Sequence, residues 1–431
     1  MAKYVAGIDF GTTNSAAAIS DGGTPRMVDL EGGHDTIPTA LFFPDRSSAV
    51  YFGRDAQQKY TDGDLDGRFM RSIKRILGSD IMRGGTIING RPVKFEAIIG
   101  HFLQYLKKKI DAAAGESVEA VVMGRPVHFR DNDPAGDARA QDELERIARA
   151  AGFKDVSFQY EPIAAAFAHE QGLKSEKLAF VADIGGGTSD FTVIRLSPTR
   201  AVSSDRTDDV LANTGVRIGG NDFDKALALK AFMPCFGMGT EYKTYDKTIA
   251  LPTKPYFSLA TWSHVNEVYN YKTLNMVRGY TVWGLEREKV KRLYEIIEKR
   301  LGHKNLDYVE LAKMTLSGQS AVRMRLDFLS DAPTIDTTRD VFEAAIQPDM
   351  KKIEAAVQEC IARAGIKNTD IELVILTGGS TEIPYVSRVM QSNFPNAELS
   401  SANKMASVGL GLAYDAMRRF AESHIRNKKS L

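Results

Sequence analysis

One motif occurs twice in the 431-residue sequence, and it constrains the fold more than any other feature. Residues 5–19 read VAGIDFGTTNSAAAI and residues 181–194 read VADIGGGTSDFTVI, so that Asp9 aligns with Asp183. In both copies an apolar strand ends at an aspartate, a glycine-rich polar turn follows, and a second apolar strand begins. The separation far exceeds the period of a solenoid or a propeller, so it predicts two duplicated domains.

The turn after the first strand has the composition of a phosphate-binding nest. Gly11 allows a close approach to the backbone N–H groups, and the hydroxyls of Thr12, Thr13 and Ser15 are additional donors. Asp9 would repel a phosphate unless a cation lay between them, so the segment predicts Mg²⁺ held through water. Taken alone, the segment fits an ordinary hairpin with a threonine-rich turn equally well.

The second turn repeats this design with three glycines and a further aspartate, in the sequence DIGGGTSD at residues 183–190. It is not a P-loop, because no lysine follows the glycines. It is not a dinucleotide-binding turn either, because an apolar strand rather than a helix follows it. Two such hairpins, one in each half of the chain, predict a clamp around one polyphosphate.

A third glycine-rich segment, LTGGSTEIP, occupies residues 376–384. An apolar strand precedes it and a helix is expected to follow it, an arrangement that suits contact with a ribose or a base edge. Without the other two segments it would be a plain strand-to-helix turn.

The three segments resemble the signature segments of the seventy-kilodalton heat-shock chaperones, the DnaK-like branch of the actin/hexokinase ATPase superfamily. Five further segments match the family pattern in the same order: IPT at 37–39, Phe52-Gly53 with Ala56, IKRILG at 73–78, EPIAAA at 161–166 and IGGNDFD at 218–224. The resemblance is weakest over residues 234–300. It covers nearly the whole chain otherwise.

The resemblance implies an α/β protein with the actin-like ATPase fold. Such a fold has two duplicated ribonuclease-H-like lobes around a nucleotide cleft, each with a smaller subdomain. We expect lobe I at residues 1–174, with its small subdomain at about 39–117, completed by a C-terminal helix at 399–431. Lobe II is expected at 175–398, with a small subdomain and an insertion at about 226–335.

The resemblance also implies roles for the residues that carry the chemistry. Lys74 matches the lysine that reaches the γ-phosphate and the attacking water, and Glu161 matches the carboxylate that helps to place metal-bound water. Asp9 and Asp183 would hold hydrated Mg²⁺. Thr188 and Asp190 would lie near the γ-phosphate, with Asp183 or Asp190 orienting the water. The catalytic set is therefore Lys74, Glu161, Asp183, Thr188 and Asp190.

The remaining predicted residues would bind the nucleotide. By the resemblance, the helix containing Glu310, Lys313 and Ser317 clamps the adenosine, and their spacing places them on one helix face. The full predicted set is Gly11, Thr12, Thr13, Asn14, Gly185, Gly186, Gly187, Gly219, Gly220, Glu310, Lys313, Met314, Ser317, Gly378, Gly379, Ser380 and Glu382.

Three positions depart from the family pattern on the nucleotide side. Met314 and Glu382 stand where two arginines usually sandwich the adenine, and Asn403 stands where the last nucleotide-facing loop usually has aspartate. Methionine can still pack on a base, whereas glutamate offers no guanidinium plane and adds negative charge. We therefore expect weaker nucleotide binding or an altered base preference.

The sequence resembles the short bacterial members of the YegD type, which implies a protein without the acidic linker and peptide-binding domain of full-length chaperones. We expect Mg²⁺-dependent ATP binding and slow ATP hydrolysis that drives lobe closure, in a chaperone-like protein without a C-terminal peptide-binding domain. The alternatives are a filament-forming actin-like cytoskeletal or plasmid-segregation ATPase, a sugar or acetate kinase, and a nucleotide-binding scaffold.

The charge balance and the number of cysteines limit the classes of binding partner and the cellular compartment that we expect. The 56 basic and 55 acidic residues give a net charge of +1, which does not support a general nucleic-acid coat. No uninterrupted apolar run approaches the roughly 20 residues that a membrane helix needs, so we expect no membrane partner. Two cysteines are too few for a disulfide framework, and the N-terminus does not have the pattern of a signal peptide. We expect a cytoplasmic protein that binds ATP or ADP, with protein clients or co-chaperones as further candidate partners.

Two local predictions concern secondary structure and packing. Residues 68–77 show apolar residues at three- and four-residue spacings, which predicts a helix that contains Lys74. Residues 234–285 hold both tryptophans and many tyrosines, and we expect these rings to form the local core of an insertion.

Overall fold

The computed structural model describes residues 4–61, 67–130, 133–201, 206–400 and 406–428, so Asn403 lies outside the described residues. The chain divides into two compact units. Unit 1 comprises Met1–Gly219, Lys352–Thr381 and Val386–Leu431, and unit 2 comprises Gly220–Lys351 and Glu382–Tyr385. Within the described part of the chain, no helix combines the length and the apolar character that a membrane span requires.

Strands and helices both occur in the first part of the chain, as the apolar runs predict. The strands there are β1 (Val5–Asp9), β2 (Asn14–Ser20), β3 (Arg26–Met27), β4 (Thr36–Pro38), β5 (Ala40–Pro44), β6 (Tyr51–Phe52), β7 (Gly67–Arg71), β8 (Gly85–Ile88), β9 (Arg91–Lys94), β10 (Ala120–Arg125) and β11 (Asp155–Tyr160). The α-helices are α1 (Gly53–Thr61), α2 (Phe95–Ala114), α3 (Pro134–Ala150) and α4 (Glu161–Glu170).

The second part of the chain contains a greater share of helix. Its strands are β12 (Lys177–Ile184), β13 (Ser189–Leu196), β14 (Val210–Val216), β15 (Glu241–Lys243), β16 (Thr248–Ala250), β17 (Ala321–Arg325), β18 (Thr334–Thr338), β19 (Leu373–Thr377) and β20 (Glu398–Ser400). Its α-helices are α5 (Gly220–Leu227), α6 (Lys254–Leu259), α7 (Tyr271–Trp283), α8 (Arg287–Glu298), α9 (Gly302–Gly318), α10 (Arg339–Ala364), α11 (Pro384–Asn393) and α12 (Ser407–Lys428).

The two sequence repeats form two sheets of the same topology, both in unit 1. The first has the order β11-β10-β1-β2-β3, with β4 also paired to β2, and the second has the order β14-β13-β12-β19-β20. In each sheet the repeat is an antiparallel hairpin, a third antiparallel strand lies on one side of it, and two parallel strands lie on the other. The mixed α/β architecture is therefore confirmed.

Two helices fill the apolar space between these sheets. One buried cluster joins Ala164–Ala166 of α4 and Leu412 of α12 to Val122 of β10, Val181 of β12 and Ile375 of β19. Because it draws on strands of both sheets, this cluster fixes the two repeats to a common core within unit 1.

The predicted helix over residues 68–77 is wrong. Gly67–Arg71 is strand β7, which pairs with β5 so that Ala40 lies opposite Arg71, and a short 3₁₀ helix over Ile73–Ile76 follows. Ser72 joins the two elements in a left-handed conformation with φ 56°. Pairing with β5 outweighs the helical spacing of the apolar residues, because sheet contacts routinely override local propensity.

Unit 2 contains the predicted insertion as β15, β16, α6 and α7. The prediction of a local aromatic core is correct for Tyr256, which is buried. It is wrong for Tyr245, Tyr271 and Trp283, which are exposed. Sequence composition alone does not separate these two groups, because aromatic residues are found both in cores and at surfaces.

Candidate functional site

The first hairpin places Asp9 at the end of β1, opposite Ala16 of β2. Thr39 makes two hydrogen bonds to the turn. Its N–H donates to the Thr13 carbonyl at 2.7 Å, and its hydroxyl donates to the Gly11 carbonyl at 2.8 Å. The Ser15 hydroxyl lies 2.8 Å from the Thr39 hydroxyl and is buried. Ser15 therefore supports the turn, and the prediction that it adds a donor for phosphate is corrected.

The second hairpin places two carboxylates opposite each other, because Asp183 of β12 pairs with Asp190 of β13. The turn between them closes with a hydrogen bond from the Gly185 N–H to the Thr188 carbonyl at 3.0 Å. This second hairpin thus presents a tight glycine turn flanked by two aspartates, as the repeat predicts.

Two other loops brace the second turn. The Ser380 hydroxyl donates to the Gly185 carbonyl at 2.9 Å, and the Ser189 hydroxyl donates to the Ile218 carbonyl at 2.8 Å. Gly219 lies directly against the turn, since a Cβ there would come within 2.7 Å of three backbone atoms of Gly185–Gly187. Gly219 and Ser380 therefore lie against the turn of the second hairpin.

The two repeat turns touch each other. A Cβ on Gly186 would lie 1.7 Å from the Thr13 hydroxyl oxygen, and a Cβ on Gly187 would lie 3.0 Å from the Thr12 methyl group. Glycine is therefore required at Gly186 by the packing of one turn on the other. The structure brings the two predicted phosphate-binding turns together.

Lys74 and Glu161 form a buried ion pair beside these turns, with Nζ 2.5 Å from Oε1. Lys74 is positioned by the 3₁₀ helix after β7, and Glu161 opens α4 directly after β11. About 6% of the Lys74 side chain and 9% of the Glu161 side chain remain exposed. Two residues 87 positions apart in sequence thus meet in the buried interior of unit 1.

Asp190 has a backbone partner that sequence reasoning did not identify. Its Oδ1 accepts a hydrogen bond from the Val127 N–H at 2.8 Å, within a fully buried pair. Val127 lies in the segment after β10, and a backbone N–H carries no sequence signal. Thr39 was also missed, although it lies in one of the matched family segments.

The site holds more buried acidic groups than basic ones. Burial raises the pKa of Asp9 and that of Asp190 to about 7, and repulsion from Glu161 adds to both shifts. The pKa of Asp183 is raised well above its usual range by burial and by its neighbours Glu161 and Asp9. Burial lowers the pKa of Lys74, but attraction to Glu161 and Asp9 outweighs this, so the net shift is upward.

This donor set fits a hydrated divalent cation. Several carboxylates share one lysine in a buried space, and a cation would relieve the repulsion that raises their pKa values. Among the described residues, no three His, Cys, Asp or Glu side chains form a group that could hold a metal ion directly. A cation here would therefore keep most of its water ligands, as Mg²⁺ commonly does.

The predicted adenosine-binding residues belong to unit 2. Lys313 on α9 pairs with Asp224 of α5, with Nζ 2.8 Å from Oδ2, and it lies 3.4 Å from the Gly220 carbonyl. The Ser317 hydroxyl donates to the Lys313 carbonyl at 3.2 Å, and the Met314 side chain is exposed. Asp224, which orients Lys313, was missed, although it lies in the matched segment 218–224.

The predicted residues thus fall into two groups. Unit 1 contains Asp9, Gly11, Thr12, Thr13, Asn14, Lys74, Glu161, Asp183, Gly185, Gly186, Gly187, Thr188, Asp190, Gly219, Gly378, Gly379 and Ser380. Unit 2 contains Gly220, Glu310, Lys313, Met314, Ser317 and Glu382. The roles assigned to these residues remain predictions.

Comparison with known proteins establishes the family. A family model described as "Hsp70 protein" matches residues 5–237 and 287–421, well over half of the chain. The chain belongs to the Hsp70 family. The actin-like ATPase fold expected from the sequence follows from this membership. The segment that the Hsp70 model leaves unmatched between its two parts, residues 238–286, coincides closely with the insertion described above.

Two bacterial relatives extend the Hsp70 comparison along the chain. "Chaperone protein DnaK" of Mycoplasmopsis agalactiae (strain NCTC 10123 / CIP 59.7 / PG2) is 28% identical over 426 residues. "Chaperone protein DnaK" of Mycoplasma mobile (strain ATCC 43663 / 163K / NCTC 11711) is 26% identical over 426 residues. Each match covers 96% of this Hsp70-family chain and 58% of the relative. The chain therefore spans little more than half the length of these relatives.

Proposed function

We propose that this Hsp70-family chain binds Mg²⁺–ATP and hydrolyses ATP slowly, and that nucleotide binding closes its lobes. The observation that carries the proposal is the buried Lys74–Glu161 pair beside two aspartate–glycine hairpins that touch each other. The lobe boundaries at 1–174 and 175–398 are part of this proposal. Membership of the Hsp70 family does not favour the filament-forming and scaffold alternatives.

The two turns would bind the phosphates through backbone N–H groups. Glycines in the second turn leave these groups accessible, and Thr12 and Thr13 of the first turn add side-chain donors. The main requirement for phosphoryl transfer to water is positioning and neutralisation of charge, rather than covalent chemistry by the protein. The clamp of two turns meets the positioning requirement.

Lys74 would supply the fixed positive charge. It is held by Glu161 at 2.5 Å and stays protonated because its pKa is raised above the ordinary value. Asp9 and Asp183 would hold hydrated Mg²⁺, which neutralises phosphate charge when bound. Asp190, oriented by the Val127 N–H, would hold the attacking water in place.

Replacement of Lys74 tests this proposal. We expect Lys74→Ala to lower kcat for ATP hydrolysis by at least about 100-fold, because a charge contact of the transition state is lost. ATP binding measured by calorimetry should persist. Lys299→Ala, which removes an exposed surface ion pair with Glu295, is the matched control. Turnover of Lys74→Ala at the wild-type rate would contradict the assigned role.

Base selectivity is the second test. Met314 and Glu382 stand where the family usually has arginines, so we expect weak ATP binding with reduced discrimination against GTP. Met314→Arg should strengthen ATP binding by about 2- to 30-fold, the range of a cation–π contact of roughly 0.5–2 kcal/mol. Calorimetric titration of both nucleotides checks this. Micromolar or tighter binding of ATP, with strong selectivity over GTP in the unmodified chain, would contradict the expectation.

The names of the relatives support a wider proposal. Both are called chaperones, so we propose that this chain acts with protein clients or co-chaperones. Capture of proteins by the nucleotide-bound chain, followed by their identification, tests this proposal.

A further inference from the structure

Arg125 lies at the centre of a compact cluster next to the proposed phosphate site. It is the last residue of β10 and lies opposite Tyr160, the last residue of β11, in parallel register. Its guanidinium carbon is 5.1 Å from the centre of the Tyr160 ring and 5.2 Å from that of the Phe129 ring. Only 12% of its side chain is exposed. These contacts fix the plane of the guanidinium.

The hydrogen bonds of Arg125 hold the segment that follows it. Nη2 donates to Asp137 Oδ2 at 2.5 Å and to the Val127 carbonyl at 3.3 Å, and Nη1 donates to Gln141 Oε1 at 2.6 Å. The other oxygen of Asp137 accepts the Phe129 N–H at 2.5 Å. The Arg125–Asp137 pair therefore holds backbone groups at both ends of residues 127–129.

This segment and the neighbouring strand both lead into the site. The Val127 N–H donates to Asp190 at 2.8 Å, and Tyr160 directly precedes Glu161. The described hydrogen bonds of Arg125 reach none of the side chains that we assign to catalysis. Its charge is also matched by Asp137, so it brings little net charge to the site.

We propose that Arg125 is a positioning residue, which sets the Val127 N–H against Asp190 and the Tyr160–Glu161 junction beside Lys74. This inference rests on the proposed ATPase function. A residue that acts by geometry alone should affect turnover more than nucleotide binding, because misplacement by about 1 Å can cost about 100-fold in rate. Lysine cannot replace it, since it lacks the planar fork that serves Gln141, Asp137 and Val127 at once.

The test is Arg125→Lys, with two readouts. We expect kcat to fall by about 10- to 100-fold while KM for ATP stays within about 2-fold. Hydrogen exchange of the Val127 amide, followed by NMR, should become faster, because its hydrogen bond to Asp190 is loosened. Arg146→Lys is the matched control, since Arg146 makes an exposed ion pair with Glu96 from the same helix as Asp137. It should match the wild type in both readouts.

Asp137→Asn provides a second variant if Arg125→Lys folds poorly. It keeps an acceptor for the Phe129 N–H but loses the ion pair, so the same two readouts should change in the same direction by a smaller factor. Wild-type kcat together with wild-type Val127 exchange in Arg125→Lys would overturn the inference, as would parallel losses of ATP binding and turnover. If the unmodified chain does not hydrolyse ATP, the proposed function fails. Val127 exchange then decides the Arg125 inference alone: faster exchange supports it and unchanged exchange overturns it.

Discussion

The two repeated hairpins have the same strand pairing but contribute different things to the site. The first turn carries threonine side chains and one aspartate, and Thr39 braces it from behind. The second carries three glycines and two opposed aspartates, and Gly219 and Ser380 brace it. The first turn provides threonine side chains, whereas the glycines of the second turn leave the space into which those side chains fit. A duplicated motif has thus diverged where its two copies face each other.

The largest expected effect concerns charge, because the first hairpin contributes one aspartate to the site and the second contributes two. The pKa of Asp190 is raised to about 7, so between about pH 4 and pH 7 the folded chain binds more protons than the unfolded chain. Stability should therefore fall as pH rises through this window, by an amount on the order of a few kcal/mol. Thermal unfolding in EDTA from pH 5 to pH 8 measures it.

The variant Asp190→Asn tests whether the carboxyl group of Asp190 causes this pH dependence of stability. Asparagine keeps an acceptor for the Val127 N–H and removes one buried charge, so the variant should unfold at a higher temperature than the wild type at pH 8 and at a similar one at pH 5. Mg²⁺ with ADP should flatten the pH dependence of the wild type by neutralising the same carboxylates. A wild-type chain that is more stable at pH 8 than at pH 5 in EDTA would refute the assignment.

The next effect concerns the contact between the turns. Gly186→Ala should destabilise the fold by about 1–3 kcal/mol, because its Cβ would lie 1.7 Å from the Thr13 hydroxyl oxygen. Gly185→Ala is the matched control, since the nearest atom to its Cβ would be 3.8 Å away. Adding Thr13→Gly to Gly186→Ala should recover much of the loss. Chemical denaturation of the wild type and the three variants measures this. Equal losses of stability for Gly186→Ala and Gly185→Ala would contradict the proposed division of roles between the turns.

The smallest expected effects are the losses of stability when the hydroxyl groups of Thr39 and Ser380, which support the two turns, are removed. Thr39→Val removes the hydroxyl that both Ser15 and the Gly11 carbonyl contact, so it should cost about 1–3 kcal/mol. Ser380→Ala removes one hydrogen bond to a turn that Gly219 also supports, so about 1 kcal/mol is expected. Denaturation midpoints provide the comparison. A larger loss for Ser380→Ala would show that the second turn depends more on its brace than the first.

Much of the site could be predicted from the sequence because its parts are local. An aspartate after an apolar strand, followed by glycine and hydroxyl residues, specifies a hairpin with an exposed turn in any surroundings. The repeat then indicated the duplication, which the matching strand orders of the two sheets show. The same logic failed over residues 68–77, where pairing of β7 with β5 outweighed the helical spacing.

What only the tertiary structure decided is how distant segments meet. Lys74 and Glu161 are 87 positions apart, and their pairing depends on where β7 and β11 end in the fold. The support of Asp190 comes from the Val127 N–H, which exists at every non-proline residue and so leaves no sequence signature. The sequence by itself determined where the two glycine-rich turns form, since the conformation of a turn is local. Packing decided which groups stand beside them, because a buried charge or amide needs a partner that only the completed fold supplies.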